Sequence, residues 1–140
     1  MGSEEDAYYN VAEALTRMEL RKKTLGFKEN ETIYSQGDDA NNVFYLEQGR
    51  VKITVVSRSG KEAVLALLSE NSFFGEGCLT GHRVRLSTAT ALTACTVLGI
   101  DKKIMRQAMH KEEAFSDRFV AHLLARNQRI EEDLVDQLFN

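Results

Sequence analysis

Glu76 and Arg85 lie in the segment FFGEGCLTGHRVRLSTATA (residues 73–91), whose residue types favour anion binding. Gly75 and Gly77 flank the carboxylate, and glycine allows the main chain to approach a ligand closely. Residues 77–80 are suited to a short helical turn, whose free N–H groups favour an anion. An arginine facing the same pocket can neutralise a phosphate with two parallel hydrogen bonds. The segment therefore predicts an anion-binding loop rather than a simple turn.

Other interpretations of the same segment remain open. Arg83 and His82 add positive charge, so Arg83 is an alternative anion-binding arginine. Glu76 and Arg85 could instead form a structural ion pair that fixes the loop. Cys78 is interpreted as a small residue packed beneath the loop rather than as a redox or haem-linked thiol. No nucleophile–base or metal–base arrangement is apparent, so neither catalysis, a metal site nor a cofactor is expected.

The bulk composition predicts one domain of an ordinary globular protein. The chain has 140 residues, a formal net charge of -3 and a pI near 5.7, which argues against direct binding of nucleic acid by this piece. No apolar run reaches the ~18 residues of a membrane span, and the acidic N-terminus is not a secretory signal. With only two cysteines and no disulfide framework, a cytoplasmic location is expected.

The elements that position this segment fall into three parts. We expect an N-terminal helical segment over 1–19 with its helix at 4–17, a β domain over 20–110 and a long helix over 111–140. Short β-rich runs separated by turns predict a sandwich or barrel. These runs are 32–35, 43–46, 51–56, 63–68 and 87–100. Ser59-Gly60 is expected at a hairpin tip, Asn71 at a left-handed position, and Asp101 as the cap of a short helix.

The long C-terminal helix carries a heptad seam that predicts a homodimer. Apolar residues recur at spacings of three and four, with one polar residue inside the seam. The predicted interface residues are Val120, Leu123, Leu124, Asn127, Ile130, Leu134 and Leu138. The alternative is a seam that packs on its own domain. The chain ends on LVDQLFN without a cap or glycine, so we expect the natural chain to continue.

The stretches FKENETIYSQGDDANNVFYLEQGRVKI, SGKE and FFGE, followed by Arg85, together resemble the cyclic-nucleotide-binding domain family. The sequence is most similar to the CRP/FNR group of bacterial transcription regulators, over residues 20 to 139. The resemblance implies a mainly β fold with flanking helices, an eight-stranded β jelly roll followed by a long dimerisation helix. It also implies that this helix leads to a helix-turn-helix DNA-binding domain, which the chain lacks.

The resemblance identifies residues 73–91 as a phosphate-binding cassette for a cyclic nucleotide such as cAMP or cGMP. Arg85 would bind the phosphate and Glu76 a ribose hydroxyl. The implied ligand-binding residues are Gly75, Glu76, Gly77, Cys78, Arg85, Leu86, Ser87 and Glu131. Leu86 stands where the family usually has Ser, Thr or Ala. Ile130 and Glu131 stand where well-known members carry hydroxyls that recognise adenine, and Ile130 cannot hydrogen-bond a base.

Three functions follow as hypotheses. The leading one is the effector-sensing domain of a dimeric CRP/FNR-type regulator, in which the ligand acts as effector rather than cofactor and shifts the dimer helices. DNA would be bound only through a domain absent from this chain. The alternatives are a constitutive dimerisation module with an empty barrel, and a regulatory domain of a kinase or channel.

Overall fold

The computed structural model, which describes residues 9–139, contains two four-stranded antiparallel sheets. The strands are β1 Lys23–Phe27, β2 Thr32–Tyr34, β3 Asn42–Gln48, β4 Val51–Val56, β5 Glu62–Leu68, β6 Ser72–Phe74, β7 Thr88–Ala91 and β8 Cys95–Asp101. Their order is β1-β8-β3-β6 in one sheet and β2-β7-β4-β5 in the other. This eight-stranded sandwich with flanking helices confirms the predicted fold class.

Helices flank the sandwich at both ends of the described chain. They are α1 Val11–Arg17, α2 Lys102–Lys111 and α3 Glu113–Phe139, with a short 3-10 helix at Glu76–Thr80. Asp101 caps α2 as expected, because its Oδ1 accepts the Lys103 N–H at 2.8 Å. The N-terminal helix was predicted over 4–17; its residues 4–8 lie outside the described residues.

Strand β3 supplies two hydrophobic clusters, because its successive side chains point to opposite faces. Val43 and Tyr45 join a cluster between the first sheet and the helices, while Phe44 and Leu46 join a cluster between the two sheets. Strand β6 repeats the alternation, with its Phe73 in the first cluster. A run without polar alternation therefore marks a strand buried on both faces.

The run predicted over 87–100 is two strands rather than one. β7 belongs to one sheet and β8 to the other, so the chain must bend between them. Strand β6, which the sequence patterns did not single out, is the last strand of its sheet. It is preceded by Asn71, whose φ of 69° confirms the left-handed conformation expected there.

Candidate functional site

A cavity of about 320 Å³ lies where the second sheet, the 3-10 helix and α3 meet. Its volume falls in the range of small-molecule pockets. Seven of the eight predicted ligand residues line it, namely Gly75, Glu76, Gly77, Cys78, Arg85, Leu86 and Ser87. The eighth, Glu131, is exposed on α3 and does not line it, whereas its neighbour Ile130 does.

The 3-10 helix is the structured part of the predicted anion-binding loop. Gly75 precedes it with φ of 73° and Gly81 follows it with φ of 90°, both in the left-handed region. A Cβ on Gly75 would lie 2.8 Å from Arg85 Nη1 and 3.1 Å from a ring carbon of Phe44. Glycine is therefore required there both by backbone conformation and by the close approach of the arginine.

The main chain of Arg85 is fixed by the turn that follows β2. Its N–H donates to the Asp38 carbonyl at 2.7 Å, and its carbonyl accepts the Gly37 N–H at 2.8 Å. Gly37 and Asp38 thus hold the main chain of Arg85 in place, although Asp38 lies 47 residues before Arg85 in the sequence. They set the direction in which the arginine enters the cavity.

The Arg85 side chain is buried, with only 6% of the residue exposed. Nη1 donates to the Gly75 carbonyl at 2.8 Å and Nη2 to the Asn42 carbonyl at 2.6 Å. The guanidinium lies 4.3 Å from the centre of the Tyr34 ring and 5.4 Å from that of Phe44, within cation–π range. Its Nε is buried and has no hydrogen-bond partner. A buried N–H without a partner is costly, so an acceptor in the cavity would stabilise it.

Glu76 pairs with Arg126 of α3 rather than with Arg85. Arg126 Nη1 lies 3.3 Å and 3.4 Å from the two carboxylate oxygens. The side chains are 30% and 17% exposed, so the pair is partly shielded from solvent. Arg126 Nε, like that of Arg85, is buried without a partner, and both arginines line the cavity. The alternative of a Glu76–Arg85 ion pair therefore does not describe this site.

His122, one helical turn before Arg126, contacts the same part of the first sheet. Its Nε2 accepts the Phe73 N–H at 3.3 Å and lies 3.0 Å from Arg126 Nη2. Arg126 Nη2 also donates to the Phe73 carbonyl. Burial, followed by the charges of neighbouring arginines, lowers the pKa of His122 from 6.5 to about 4. The imidazole is therefore neutral at pH 7 and stays neutral at pH values where a surface histidine is already protonated.

The remaining predicted residues give the cavity a mixed lining. Cys78 is buried, and burial raises the pKa of its thiol, which agrees with a packing role. Leu86 is 61% exposed and presents an apolar surface at the rim, while Ser87 is half-buried. Arg83 is exposed and does not line the cavity, so the geometry favours Arg85 over Arg83. The imidazole of His82 also lines the cavity.

Some of the predicted dimer residues contact their own domain, and the others are exposed to solvent. Leu123 packs against the helix-facing cluster of its own domain, and Ile130 lines the cavity although it is 51% exposed. The others are exposed along α3, namely Val120, Leu124, Asn127, Leu134 and Leu138. The homodimer remains a prediction.

A larger cavity of about 960 Å³ lies between α1, β1 and α2, and none of the predicted ligand-binding or dimer-interface residues lines it. Within residues 9–139 no cluster of His, Cys, Asp and Glu is arranged to hold a metal ion. Among the described helices, none combines the length and apolarity that a membrane span requires.

The sequence patterns singled out neither Arg126 nor His122 as a residue of the site. Both lie on α3 at a spacing of four, which places them on one face of a helix. That spacing was the available signal. It does not indicate which strand the face meets, because the partners lie about 50 residues away in sequence.

The chain matches known proteins over most of its length. Residues 24–112 match the family described as cyclic nucleotide-binding domain. A global nitrogen regulator from Nostoc is 37% identical over 92 residues, which cover 64% of this chain and 41% of that protein. The transcriptional regulator LdrP from Thermus thermophilus is 34% identical over 104 residues, covering 74% and 49%. The chain thus spans about half the length of these curated relatives.

Solved structures show the same fold. The c-di-GMP responsive global regulator CLP of Xanthomonas campestris superimposes with a TM-score of 0.80 at 18% sequence identity, over 91% of this chain and 65% of that one. At this identity the likeness concerns the fold alone. The family match covers well over half of the chain, and it includes Glu76, Arg85 and the strands around them. The chain therefore belongs to the cyclic nucleotide-binding domain family, and the relatives it resembles in sequence are CRP-family transcription regulators.

Proposed function

We propose that this chain is the effector-sensing domain of a CRP/FNR-type bacterial transcription regulator, acting in the cytoplasm without catalysis. The effector is a small anion, with cAMP or cGMP as the leading candidates. One observation carries the proposal: two arginines of the 320 Å³ cavity, Arg85 and Arg126, each have a buried Nε–H without a partner. An anion in the cavity would satisfy these donors and balance the positive charge.

Arg85 and Glu76 take the leading roles at the ligand. Arg85 faces the phosphate, while the 3-10 helix offers main-chain groups beside it. Glu76 accepts a ribose hydroxyl, and it does so while paired with Arg126, so α3 senses the same ligand. Leu86 and Ile130 present apolar surfaces to a base, and neither offers it a hydrogen bond.

The position of α3 supports signal transmission through this helix. Arg126 and Ile130 of this helix line the cavity, and Leu124, Leu134 and Leu138 remain exposed for a second copy. A ligand that binds one arrangement of the dimer helices more tightly than another would shift their equilibrium. The shifted helices would re-aim DNA-binding domains outside this chain.

Calorimetric titration with cAMP, cGMP and c-di-GMP tests the effector. We expect micromolar binding of cAMP or cGMP that Arg85→Ala abolishes, because the substitution removes the buried charge assigned to the phosphate. Arg83→Ala, a matched loss of an exposed neighbouring arginine, should leave the affinity unchanged. Thermal unfolding must show that Arg85→Ala remains folded, since it also loses two buried hydrogen bonds. No binding at millimolar nucleotide would reject these effectors.

A constitutive dimerisation module is a second candidate that one observation favours. Both terminal nitrogens of Arg85 already have carbonyl partners, and Glu76 already has Arg126. The protein itself therefore already provides partners for most of the polar groups of Arg85 and Glu76. A chain that dimerises through α3, with no heat and no thermal shift from any of the three nucleotides, would favour this second function.

A further inference from the structure

We propose that His122 is a positioning residue of the effector site, whose neutral ring fixes Arg126 of α3 against strand β6 so that the guanidinium faces the cavity. The proposal deepens the proposed function and depends on it for any effect on ligand affinity. The positioning itself is measured without ligand.

The first observation is the position of β6 at the end of its sheet. A last strand has main-chain groups on its outer side that no further strand pairs, and these need other partners. Two side chains of α3 supply them at Phe73. His122 Nε2 accepts its N–H at 3.3 Å, and Arg126 Nη2 donates to its carbonyl. The helix therefore closes the edge of the sheet with one acceptor and one donor.

The second observation fixes the protonation state of the ring. Two donors converge on His122 Nε2, namely the Phe73 N–H and Arg126 Nη2 at 3.0 Å. Neither a main-chain N–H nor a guanidinium can accept a hydrogen bond, so Nε2 carries no proton. The neutral ring then carries its proton on Nδ1. A protonated Nε2 would point a third donor at the first two and break both contacts.

The arginines around the ring favour this neutral form, whereas the hydrogen bond with the Phe73 main chain raises the pKa of His122. On α3 these arginines are Arg118, Arg126 and Arg129, all of which lower the pKa of His122. From β6 the neighbours are the main chain of Phe73 and its ring, which meets the imidazole edge-on at 5.9 Å. The Glu76 carboxylate contacts Nη1 of the same Arg126 whose Nη2 faces the ring.

The consequence for the site lies in how Arg126 is divided among its partners. Nη2 is used by His122 and Phe73, and Nη1 by Glu76, while Nε is buried without a partner in a side chain that lines the cavity. With Nη2 fixed against β6, the guanidinium cannot swing out to solvent. The ligand therefore meets a pre-oriented donor, which lowers the entropic cost of binding.

Two variants of His122 separate the effect of its hydrogen-bond acceptor from the effect of its aromatic ring. His122→Gln keeps an acceptor of similar reach, whereas His122→Phe keeps the aromatic edge on Phe73 and removes the acceptor. In ligand-free protein we expect amide exchange at Phe73 to accelerate about fivefold or more in His122→Phe, the effect of one lost hydrogen bond, and to stay near wild type in His122→Gln. The ¹⁵Nε signal of Arg126 should likewise shift from its wild-type position in His122→Phe and stay near it in His122→Gln.

The result that overturns the proposal is equal Phe73 exchange and an unchanged Arg126 signal in all three proteins. If His122→Phe fails to fold, the tautomer of wild-type His122, read from its ring ¹⁵N shifts, decides instead. Nδ1–H at pH 7 supports the proposal, and Nε2–H contradicts it. The pKa of His122 should also rise in Arg126→Gln, which a purely packing role would not require.

A titration with cAMP distinguishes failure of this inference from failure of the proposed function. If cAMP binds the wild type, His122→Phe should weaken it about fivefold to tenfold, with His122→Gln close to wild type. Unchanged affinity in His122→Phe would overturn the role in binding. If cAMP binds none of the proteins, the proposed effector is rejected while the ligand-free measurements still decide the position of Arg126.

Discussion

The two halves of α3 differ in what surrounds them. In the first half, Phe115 and Phe119 are 0% and 3% exposed within the helix-facing cluster, and His122 and Arg126 contact β6. In the second half, the apolar side chains from Leu134 to Phe139 are 52–80% exposed. One continuous helix is thus part of the domain core at one end and a solvent-facing rod at the other.

This difference assigns separate tasks to the two halves. The packed half places Arg126 at the cavity and fixes how α3 sits on the first sheet. The exposed half has an apolar stripe that a second copy would cover. Ile130, which lines the cavity and is still 51% exposed, lies at the boundary between them. Under the proposed function, a ligand at that boundary would alter the direction of the rod.

The largest effect is expected in the packed half. Phe115→Ala should lower the free energy of unfolding by about 3 to 5 kcal/mol, because it leaves a cavity in a fully buried cluster. Leu134→Ala in the exposed half should change it by less than about 0.5 kcal/mol at a concentration where the chain is monomeric. Urea unfolding monitored by circular dichroism measures both. Equal losses would mean that the halves do not differ in this way.

The next effect concerns the exposed half and its partner. Leu134→Glu should weaken a homodimer by about 100-fold, because it places an unpaired charge in an apolar seam. Gln128→Glu adds the same charge at an exposed position outside the seam and should leave the dimer intact. Sedimentation at micromolar protein makes the comparison. A wild-type chain that stays monomeric throughout would contradict the claim that a second copy covers the apolar stripe.

A smaller, pH-dependent effect tests the contact between His122 and β6. The folded-state pKa of about 4 lies below the ordinary 6.5, so the unfolded chain binds a proton first as the pH falls. The contribution of His122 is therefore complete above pH 6.5 and is lost between pH 6.5 and 4. Because solvent reaches part of the ring, we expect about 1–2 kcal/mol over this window. The free energy of unfolding of His122→Gln should therefore change less over this pH window than that of the wild type, by the same amount. Identical pH profiles of stability in the two proteins would contradict a buried neutral ring.

The smallest effect is expected at the Glu76–Arg126 pair. Glu76→Gln should cost less than about 1 kcal/mol of stability, since the pair is partly exposed and its distances are long for a strong ion pair. Thermal unfolding at low and high salt measures this contribution. A loss as large as that of Phe115→Ala would show that the site, rather than the aromatic cluster, fixes α3 on the domain.

The fold was predictable because its sequence patterns are local. Strand runs, the hairpin glycine, the cap at Asp101 and the heptads each depend on residues a few positions apart. The missed features depend on long-range geometry. The split of 87–100 into β7 and β8 arises because the two strands belong to different sheets, and no residue type in the run marks that change.

The candidate site was predictable only in part, for the same reason. Glu76 and Arg85 stand out by type and spacing, and both line the cavity. The carbonyl of Asn42, 43 residues from Arg85, could not be identified as its partner from sequence. Nor could the division of α3, because Phe115, Phe119 and Leu123 share the spacing of the seam residues that follow them. A helical pattern indicates an apolar face but not what covers it.

The most direct test of the effector site is NMR observation of the two unpartnered Nε–H groups during titration with cAMP and cGMP at pH 7. We predict that the Arg85 and Arg126 Nε–H signals both shift and become protected from solvent exchange as one nucleotide saturates the protein, while the exposed Arg83 signal stays constant. Arg85 and Arg126 signals that remain unchanged up to millimolar nucleotide would contradict a cyclic-nucleotide site in this cavity.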